Sequence, residues 1–325
     1  MNRHAPLPPA AIGIPVGPGK GAGWTVSRLR RGDPGRPWLV WLHGLLGSGD
    51  DWSPVLPYFS DWSLATLNLP GHGPDAGAAR APACALHREQ AADGGIPIKT
   101  AQAADGGAPR QKAGLDFAAV SAGLAHTLAA LGITRYILIG YSLGGRIALY
   151  HACRGRCGAG NTPGAAGANG QAGLCGLFVE GAHPGLAHRR ERADRLRHDG
   201  LWARRFSRQP ITAVLADWYR QPVFGDLSDD ARRQLVALRA ANDGAAVAAM
   251  LLATSLARQP DLAARLRALD LPFGYLCGEH DGKFTALARG AALPLVPVPG
   301  AGHNAHRANP PAFAGQLLTL LAPFH

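Results

Sequence analysis

The sequence predicts an α/β fold with a mostly parallel central sheet, helices on both of its faces and an inserted helical cap. Three observations lead to this prediction. Apolar runs of strand length recur along the chain and end in turns rich in glycine and histidine, as after Trp38-Leu-Val-Trp-Leu42. A serine between two glycines follows another such run and precedes a helical pattern. An arginine-rich helical segment separates the earlier strands from the last two.

The turn at residues 140–144, Gly-Tyr-Ser-Leu-Gly, is central to the prediction. The pattern G-x-S-x-G arises by chance in a chain with 43 glycines, so its neighbours decide its meaning. A buried-type strand begins at Tyr136 and a helical pattern continues from Arg146, which is the context of a nucleophile elbow. The elbow predicts an α/β-hydrolase fold with a catalytic Ser142. The alternative is a helix-capping serine in a glycine-rich turn.

The other elements are predicted in chain order from the same patterns. Residues 24–30 alternate like an edge strand, and 38–42 and 63–69 are typical of buried strands that end in Gly/His turns. Helical spacing covers 117–131, further strands follow at 174–180, 272–278 and 293–298, and a closing helix lies at about 310–322. Because ligands bind at the carboxyl edge of the sheet in open α/β folds, we expect the site beside these turns.

Changes of composition divide the chain into segments. Residues 1–23 form an extension rich in Pro and Gly that we predict to be disordered. Low-complexity insertions occupy about 74–114 and 156–173, and the first of them contains Gln-Ala-Ala-Asp-Gly-Gly twice. The predicted domains are a first part of the core at 24–182, a helical cap at 183–268 and a second part of the core at 269–325.

The net charge of +11 raises the question of a nucleic-acid partner. The basic residues are almost all arginine and are spread along the chain, without a basic run or interleaved aromatic residues. This pattern argues against nucleic acid and favours a small polyanionic substrate. No apolar run is long enough to predict a membrane span. The sequence does not indicate the oligomeric state.

The five cysteines predict free thiols, with neither disulfides nor a metal site. Their number is odd, no C-x-x-C pair occurs, and Cys153 and Cys157 have no His or Cys pair at matching spacing. The N-terminus has too many Pro and Gly residues for the continuous apolar segment of a signal peptide. We therefore expect a reducing, cytoplasmic location.

Three residues follow predicted strands in the chain order of the α/β-hydrolase triad, namely Ser142, Asp281 and His303. A serine hydroxyl needs a histidine to accept its proton, and the imidazole needs a carboxylate to hold its tautomer. His306 competes with His303 for the role of base. Glu279 and Asp270 are rivals for the acid, although Glu279 faces the other side of its strand end and Asp270 precedes the strand.

Two backbone amides are candidates for an oxyanion hole. In this architecture the donors are the residue after the nucleophile, here Leu143, and one residue in the loop after the first central strand, here Leu45. His43 shapes that loop, and we predict that His43 and His72 are structural hydrogen-bonding residues without a direct catalytic role.

Arg146 lies four residues after Ser142, so the two side chains share one face of the predicted helix. Helices after a nucleophile elbow usually bury an apolar residue at this position. An arginine there suggests an anchor for a carboxylate beside the reacting atom, because guanidinium binds carboxylates bidentately. The alternative is an ion pair with an acid of the cap.

Seven motifs carry a more specific resemblance, and they span nearly all of 36–75 and 115–325. The chain resembles the 2-succinyl-6-hydroxy-2,4-cyclohexadiene-1-carboxylate synthases, the menaquinone-pathway members of the α/β-hydrolase superfamily, in Trp38-Leu-Val-Trp-Leu-His-Gly44, Leu69-Pro-Gly-His-Gly73, Val179-Glu-Gly-Ala-His-Pro-Gly185, Ala216-Asp-Trp-Tyr-Arg-Gln-Pro-Val-Phe224, Leu235-Val-Ala-Leu-Arg239, Ala253-Thr-Ser-Leu256 and Ala301-Gly-His-Asn-Ala-His306. The extension and the two insertions depart from this pattern.

The resemblance implies elimination of pyruvate from an enolpyruvyl cyclohexene that carries a succinyl group, without a cofactor. Ser142, activated by His303, would remove the proton alpha to the succinyl carbonyl, and the amides of the oxyanion hole would hold the enolate oxygen. The substrate has three carboxylates. The substrate-contact positions of the family correspond to Tyr141, Arg146, Arg195, Trp218, Arg239 and Lys283. For Arg195, which lies in an arginine-rich helix, a solvated face is the alternative.

Two other functions use the same sequence features. A serine hydrolase of esters or carbon–carbon bonds needs the same triad and oxyanion hole, and the sequence does not separate serine as a base from serine as a nucleophile. A hydrolase of neutral esters, however, has no use for several cations over its serine. A non-catalytic interaction protein of this fold is the third possibility, and an intact triad argues against it.

Overall fold

The structure is a computed structural model that describes residues 23–73, 115–154 and 173–325. The predicted extension and the two predicted low-complexity insertions lie almost entirely outside the described residues.

A seven-stranded sheet forms the centre of the described chain. Its strands are β1 (Thr25–Arg30), β2 (Trp38–Leu42), β3 (Leu64–Asn68), β4 (Tyr136–Tyr141), β5 (Leu174–Glu180), β6 (Phe273–Gly278) and β7 (Leu295–Val298). Their order across the sheet is β1-β3-β2-β4-β5-β6-β7. Only β1, at one edge, is antiparallel to its neighbour. The predicted mostly parallel sheet is therefore confirmed.

The central strands are apolar throughout because both faces of the sheet are covered. In β2, Val40 and Leu42 belong to the hydrophobic cluster on one face, whereas Leu39 and Trp41 belong to the cluster on the other. Successive side chains of a strand point to opposite faces, so a continuous apolar run fills two cores at once.

Helices cover both faces, and five of them are inserted between β5 and β6. The helices are α1 (Phe117–Ala130), α2 (Leu143–Arg154), α3 (Arg189–Arg208), α4 (Ile211–Trp218), α5 (Asp229–Arg239), α6 (Gly244–Ala253), α7 (Ala263–Arg267), α8 (Gly282–Gly290), α9 (Ala305–Ala308) and α10 (Pro310–Leu321). We refer to α3–α7 as the cap. The sequence analysis predicted neither α8 nor the short α9 as a separate helix.

The cap has a hydrophobic cluster of its own, to which the loop after β2 contributes Leu46 and the partly buried Leu45. Phe206, Val214, Val247 and Leu251 form its centre, together with the fully buried Leu46 from the loop after β2. The cap therefore packs directly on that loop. No single described helix is both long and apolar enough to cross a membrane, and α5 with α6 reaches such a length only as a pair bent by 101°.

The turn between β4 and α2 is tight because two glycines allow strand and helix to approach closely. A Cβ atom at Gly140 would lie 2.7 Å from the carbonyl oxygen of Gly144, and one at Gly144 would collide with the carbonyl of Leu42 on β2. Both contacts are with backbone atoms, which cannot rotate away. Only glycine fits at these two positions.

We expect Gly144→Ala to lower the free energy of unfolding by at least about 2 kcal/mol, because the new methyl group forces strand and helix apart. Urea denaturation measures the change. The matched control is Gly315→Ala in α10, where no atom lies within 4 Å of the added Cβ. That substitution should leave stability unchanged or raise it by about 0.5–1 kcal/mol. Equal stabilities of the two variants would contradict the steric explanation.

Candidate active site

Ser142 occupies the turn between β4 and α2 with a backbone φ of +48°. This left-handed conformation is costly for a residue with a side chain, and it persists only where the surroundings enforce it. Here the Ser142 amide donates to the carbonyl of Glu180 (2.8 Å), and the Ser142 carbonyl accepts from the Arg146 amide (2.9 Å). These bonds, together with the close glycine contacts, hold the serine at the tip of the elbow.

His303 and Asp281 form a buried pair at the carboxyl edge of the sheet. The distance from His303 Nδ1 to Asp281 Oδ2 is 2.7 Å, and the other carboxylate oxygen accepts from the Phe284 amide at the start of α8. Because Nδ1 faces the carboxylate, Nε2 is the ring nitrogen that can accept a proton from a serine. Among the three acids considered, the structure thus brings Asp281 to His303.

The alternative candidates for the catalytic acid and base have other partners or positions. Glu279 accepts a hydrogen bond from the Gly300 amide, and Asp270 lies before β6, at the opposite end of that strand from Asp281. His306 is fully buried, its Nδ1 lies 2.7 Å from Glu180 Oε2, and it does not line the cavity. The Glu180 carboxylate also accepts from the amides of Ala305 and His306, so it fixes the loop that carries His303.

Ser142 and His303 both line one cavity of about 800 Å³. Within the described residues, no hydrogen bond joins the Ser142 hydroxyl to the imidazole. Catalytic hydrogen bonds are often long in unliganded enzymes and shorten when the substrate binds. The His303 ring is held from its sides by Phe284, at 4.6 Å between ring centroids, and by Tyr141 at 5.4 Å.

The two candidate oxyanion-hole residues, Leu45 and Leu143, also line this cavity. Neither amide donates to another backbone group in the part of the chain that the structure describes. The loop after β2 passes close to the elbow, since a Cβ at Gly44 would lie 3.5 Å from the Ser142 Cβ. Two unpaired donors therefore lie at the edge of the cavity, next to the serine.

His43 and His72 are buried histidines that stabilise the loop after β2. His43 Nδ1 donates to the carbonyl of Gly44 (2.7 Å), and its Nε2 accepts from the Leu69 amide (3.0 Å). Burial lowers the pKa of each histidine to about 3, so both rings are neutral at ordinary pH. Neither lines the cavity, which agrees with a structural role.

Three cationic side chains line the same cavity as the serine. Arg146, Arg195 and Lys283 line it, with Trp218 as a large aromatic surface. The acids Glu191, Asp194 and Asp226 also belong to the wall. Arg195 donates through Nε to the buried Asp199 (2.8 Å), and Asp199 in turn accepts from Ser255 (2.7 Å). Since only Nε is used, the two terminal nitrogens of Arg195 remain available to a ligand.

Arg146 is nearly buried, and its nearest partners are neutral. Its Nη1 donates to the Thr254 carbonyl (2.8 Å) and to Gln259 Oε1 (3.3 Å). No carboxylate of the described residues lies within 4.0 Å, so the alternative of an ion pair with a cap acid is not observed. Burial, with the nearby Arg195, lowers the pKa of Arg146 to about 9, which leaves it charged at neutral pH.

Two of the predicted substrate contacts lie outside the cavity wall. Tyr141 is buried between His303 and His306, and Arg239 forms an ion pair with the buried Asp51. The structure thus brings Arg146, Arg195, Trp218 and Lys283 together at the cavity but does not bring Tyr141 or Arg239 there. Asp51 is the physical reason for the position of Arg239.

His183 is a cavity residue that the sequence analysis did not select. It follows β5 at the carboxyl edge, and that position was the signal that could have identified it. Its Nδ1 accepts from the Gly185 amide (3.1 Å), so the ring proton lies on Nε2. Burial and the charges of Arg146 and Lys283 lower the pKa of His183 to about 4. A neutral N–H donor therefore stands among the cations.

No group of three or more His, Cys, Asp and Glu side chains in the described chain is arranged to hold a metal ion. Cys175 and Cys277 are free thiols, Cys153 is buried in the core, and Cys84 and Cys157 lie outside the described residues.

Comparisons with known proteins agree with this architecture. The alpha/beta hydrolase fold family matches residues 37–307. A 2-succinyl-6-hydroxy-2,4-cyclohexadiene-1-carboxylate synthase of Pectobacterium atrosepticum is 50% identical over 289 residues, which cover 89% of this chain and 95% of the relative. The chain belongs to this synthase family. A synthase of Photorhabdus laumondii is 44% identical over 300 residues, covering 92% of this chain and 91% of that protein.

The solved structure of MenH from S. aureus has the same fold as this family member. It covers 91% of this chain and 97% of its own, with a TM-score of 0.69 and 21% sequence identity. At that identity the similarity concerns the fold alone. The sequence-based prediction of an α/β-hydrolase fold, and of this synthase family, is confirmed.

We expect this family member to lose stability as the pH falls below about 6.5, because His43 and His72 are protonated in the unfolded chain but remain neutral in the folded one. Each histidine should lower the free energy of unfolding by about 1.4 kcal/mol per pH unit, until the pH approaches the folded-state value near 3. Urea denaturation at pH 7, 6 and 5 measures this. His72→Gln should make the slope shallower, and His126→Gln, on the exposed face of α1, should not.

Proposed function

We propose that the protein eliminates pyruvate from 2-succinyl-5-enolpyruvyl-6-hydroxy-3-cyclohexene-1-carboxylate to give 2-succinyl-6-hydroxy-2,4-cyclohexadiene-1-carboxylate in menaquinone biosynthesis. It is a carbon–oxygen lyase. The observation that carries this conclusion is the identity of 44–50% with named synthases over nearly the full length of both chains. The cavity chemistry gives independent support, because Arg146, Arg195 and Lys283 line the same cavity as Ser142.

Binding of the substrate depends on its three carboxylates. Arg146, Arg195 and Lys283 supply positive charge on the cavity wall, and a charged guanidinium that lacks a carboxylate partner is a strong site for one. Trp218 offers an apolar surface for the ring. The resemblance also predicted Tyr141 and Arg239 as substrate contacts, and their positions outside the cavity wall give that prediction no support.

The reaction begins with removal of the proton alpha to the succinyl carbonyl. In the proposed mechanism His303 accepts the hydroxyl proton of Ser142, and the serine oxygen takes the proton from carbon. Asp281 stabilises the imidazolium, since its carboxylate lies 2.7 Å from Nδ1. Ser142 is thus a positioned base and forms no bond to the substrate.

The electron pair released from the C–H bond moves onto the carbonyl oxygen, where the amides of Leu45 and Leu143 bind it. An enolate carries its charge on the former carbonyl oxygen, and each such donor stabilises the transition state by about 3 kcal/mol. The pair then returns through the ring double bond and breaks the carbon–oxygen bond to the enolpyruvyl group. His303 returns a proton, so that pyruvate leaves and the triad is restored.

No step of this mechanism needs a cofactor or a metal, because proton transfer and charge stabilisation by residues of the chain suffice. We also propose a cytoplasmic location for the enzyme. The free thiol of Cys277, buried in the core, supports this because such thiols persist in a reducing compartment.

The direct test is incubation with the enolpyruvyl substrate, with pyruvate release followed through a coupled dehydrogenase. We expect one pyruvate per substrate consumed, and a loss of turnover of about 10³-fold or more in Ser142→Ala. Absence of pyruvate release by the wild-type protein would refute the lyase function. Turnover of simple esters alone would favour the serine hydrolase instead.

We expect Arg146→Ala to reduce kcat/KM for the anionic substrate by about 10–100-fold, because charge-assisted hydrogen bonds to a carboxylate are lost. Hydrolysis of the neutral ester p-nitrophenyl acetate, if measurable, should change less than threefold. Arg146→Lys, which keeps the charge without the bidentate geometry, should be intermediate. An equal loss of both activities would contradict the role as a carboxylate anchor.

A further inference from the structure

Arg239 and Asp51 form an ion pair between the cap and the core that the proposed reaction does not use. Arg239 is at the C-terminal end of α5, and Asp51 lies in the short helical turn Gly49–Trp52 after β2. Arg239 Nη2 is 2.5 Å from Asp51 Oδ1, and the two side chains are 6% and 4% exposed. Burial alone would lower the pKa of Arg239, but Asp51 and Tyr219 raise it above its ordinary value.

Asp51 contacts the loop that carries Leu45 directly, and Arg239 is connected to that loop through Asp51 and Asn242. The Asp51 carboxylate lies against the backbone of Gly47, where an added Cβ would collide with Oδ2. Next to Arg239 in the cap, Asn242 donates through Nδ2 to the carbonyl of Leu46 (3.0 Å) and to the carbonyl of Arg239 (3.0 Å). The end of α5 therefore holds this loop at two points.

The loop needs such support because its conformation is not a relaxed one. Leu46 has a φ of +69°, one of three positive values among the described residues other than glycine. Its side chain is fully buried in the hydrophobic cluster of the cap. A strained leucine persists only when its surroundings determine its position, and here those surroundings belong to the cap.

The ion pair also lies next to the other catalytic segments. Tyr141, adjacent to Ser142, is buried close enough for its pKa to be affected by Asp51 and Arg239, although burial itself is the main cause of its upward shift. Arg307, in the helix that follows the His303 loop, places Nη1 3.8 Å from Asp51 Oδ1. Asp51 thus connects the loop after β2, the cap and α9.

We propose that Arg239 and Asp51 are positioning residues that hold the Leu45 amide in place for the enolate oxygen, and that Arg239 does not contact the substrate. This inference rests on the proposed function. Arg239 cannot turn towards a ligand without leaving Asp51 as a buried, poorly compensated charge, which is strongly unfavourable. The pair acts on the transition state through the loop and has no direct effect on substrate affinity.

The test is a double-mutant cycle of Asp51→Asn, Arg239→Gln and the double variant, measured by pyruvate release. Because an oxyanion donor is misplaced, we expect each single variant to lose about 10–100-fold in kcat, with KM within about threefold of the wild type. The kcat of the double variant should be no lower than that of the less active single variant, because both substitutions break the same ion pair. Hydrolysis of p-nitrophenyl acetate, or phosphonylation of Ser142 by a small fluorophosphonate, should slow in parallel, since both use the same donors.

Two further variants separate positioning from general stability. Asn242→Ala removes the direct bond to Leu46 while the ion pair stays intact, and it should lower kcat about three- to tenfold. Arg239→Lys should recover part of the kcat lost in Arg239→Gln. The matched control is Asp217→Asn, which breaks an ion pair to Arg205 inside the cap that does not touch the loop. Its kcat should stay within twofold of the wild type.

Three outcomes would overturn the proposal. A large increase in KM in Arg239→Gln, with Asp51→Asn near wild type, would make Arg239 a substrate contact. A lower Tm with unchanged kcat in the cycle would make the pair purely structural. If Asp51→Asn does not fold, a wild-type kcat in Asn242→Ala has the same meaning. Failure of the proposed function would be distinguishable from failure of this inference, because the wild-type protein itself would then release no pyruvate. Phosphonylation of Ser142 would in that case still show whether the variants disturb the oxyanion-hole amides.

Discussion

The parallel register of four neighbouring strands is the constraint on which the rest of the structure depends. Leu42 of β2 pairs with Gly140 of β4, Tyr141 pairs with Glu180 of β5, and Glu180 pairs with Leu276 of β6. These four strands therefore end at nearly the same level, and the turn after each one carries a residue of the candidate active site. A shift of one residue would turn each of these side chains to the opposite face.

Two buried carboxylates, Asp199 and Asp51, determine which arginines face the cavity. Asp199 uses only Nε of Arg195 and leaves the rest of that guanidinium facing the cavity, whereas Asp51 holds Arg239 away from it. Arg146 has neutral partners and stays available. An arginine near an active site is thus a ligand-binding group or a structural one according to the carboxylate beside it.

The sequence predicted the sheet well because strands buried on both faces are continuous apolar runs, which six of the seven observed strands match, whereas β1 matches the alternating pattern of an edge strand. The positions of Ser142, Asp281 and His303 at strand ends were predictable for the same reason. The partners of Arg239 and His306 were not, because Asp51 and Glu180 are 188 and 126 residues away, and no local pattern records such pairs. The helix α8 was missed because few apolar residues mark it.

Glu180 joins the two halves of the proton-transfer pair. Its carbonyl accepts from the Ser142 amide, while its carboxylate holds the loop that follows His303. Glu180 thereby links the position of the serine to that of the histidine through one residue of the sheet. The bonds that Glu180 makes to the catalytic segments therefore lie within the core. A lineage that exchanged the cap helices could acquire a new substrate range while it inherited this link between serine and histidine.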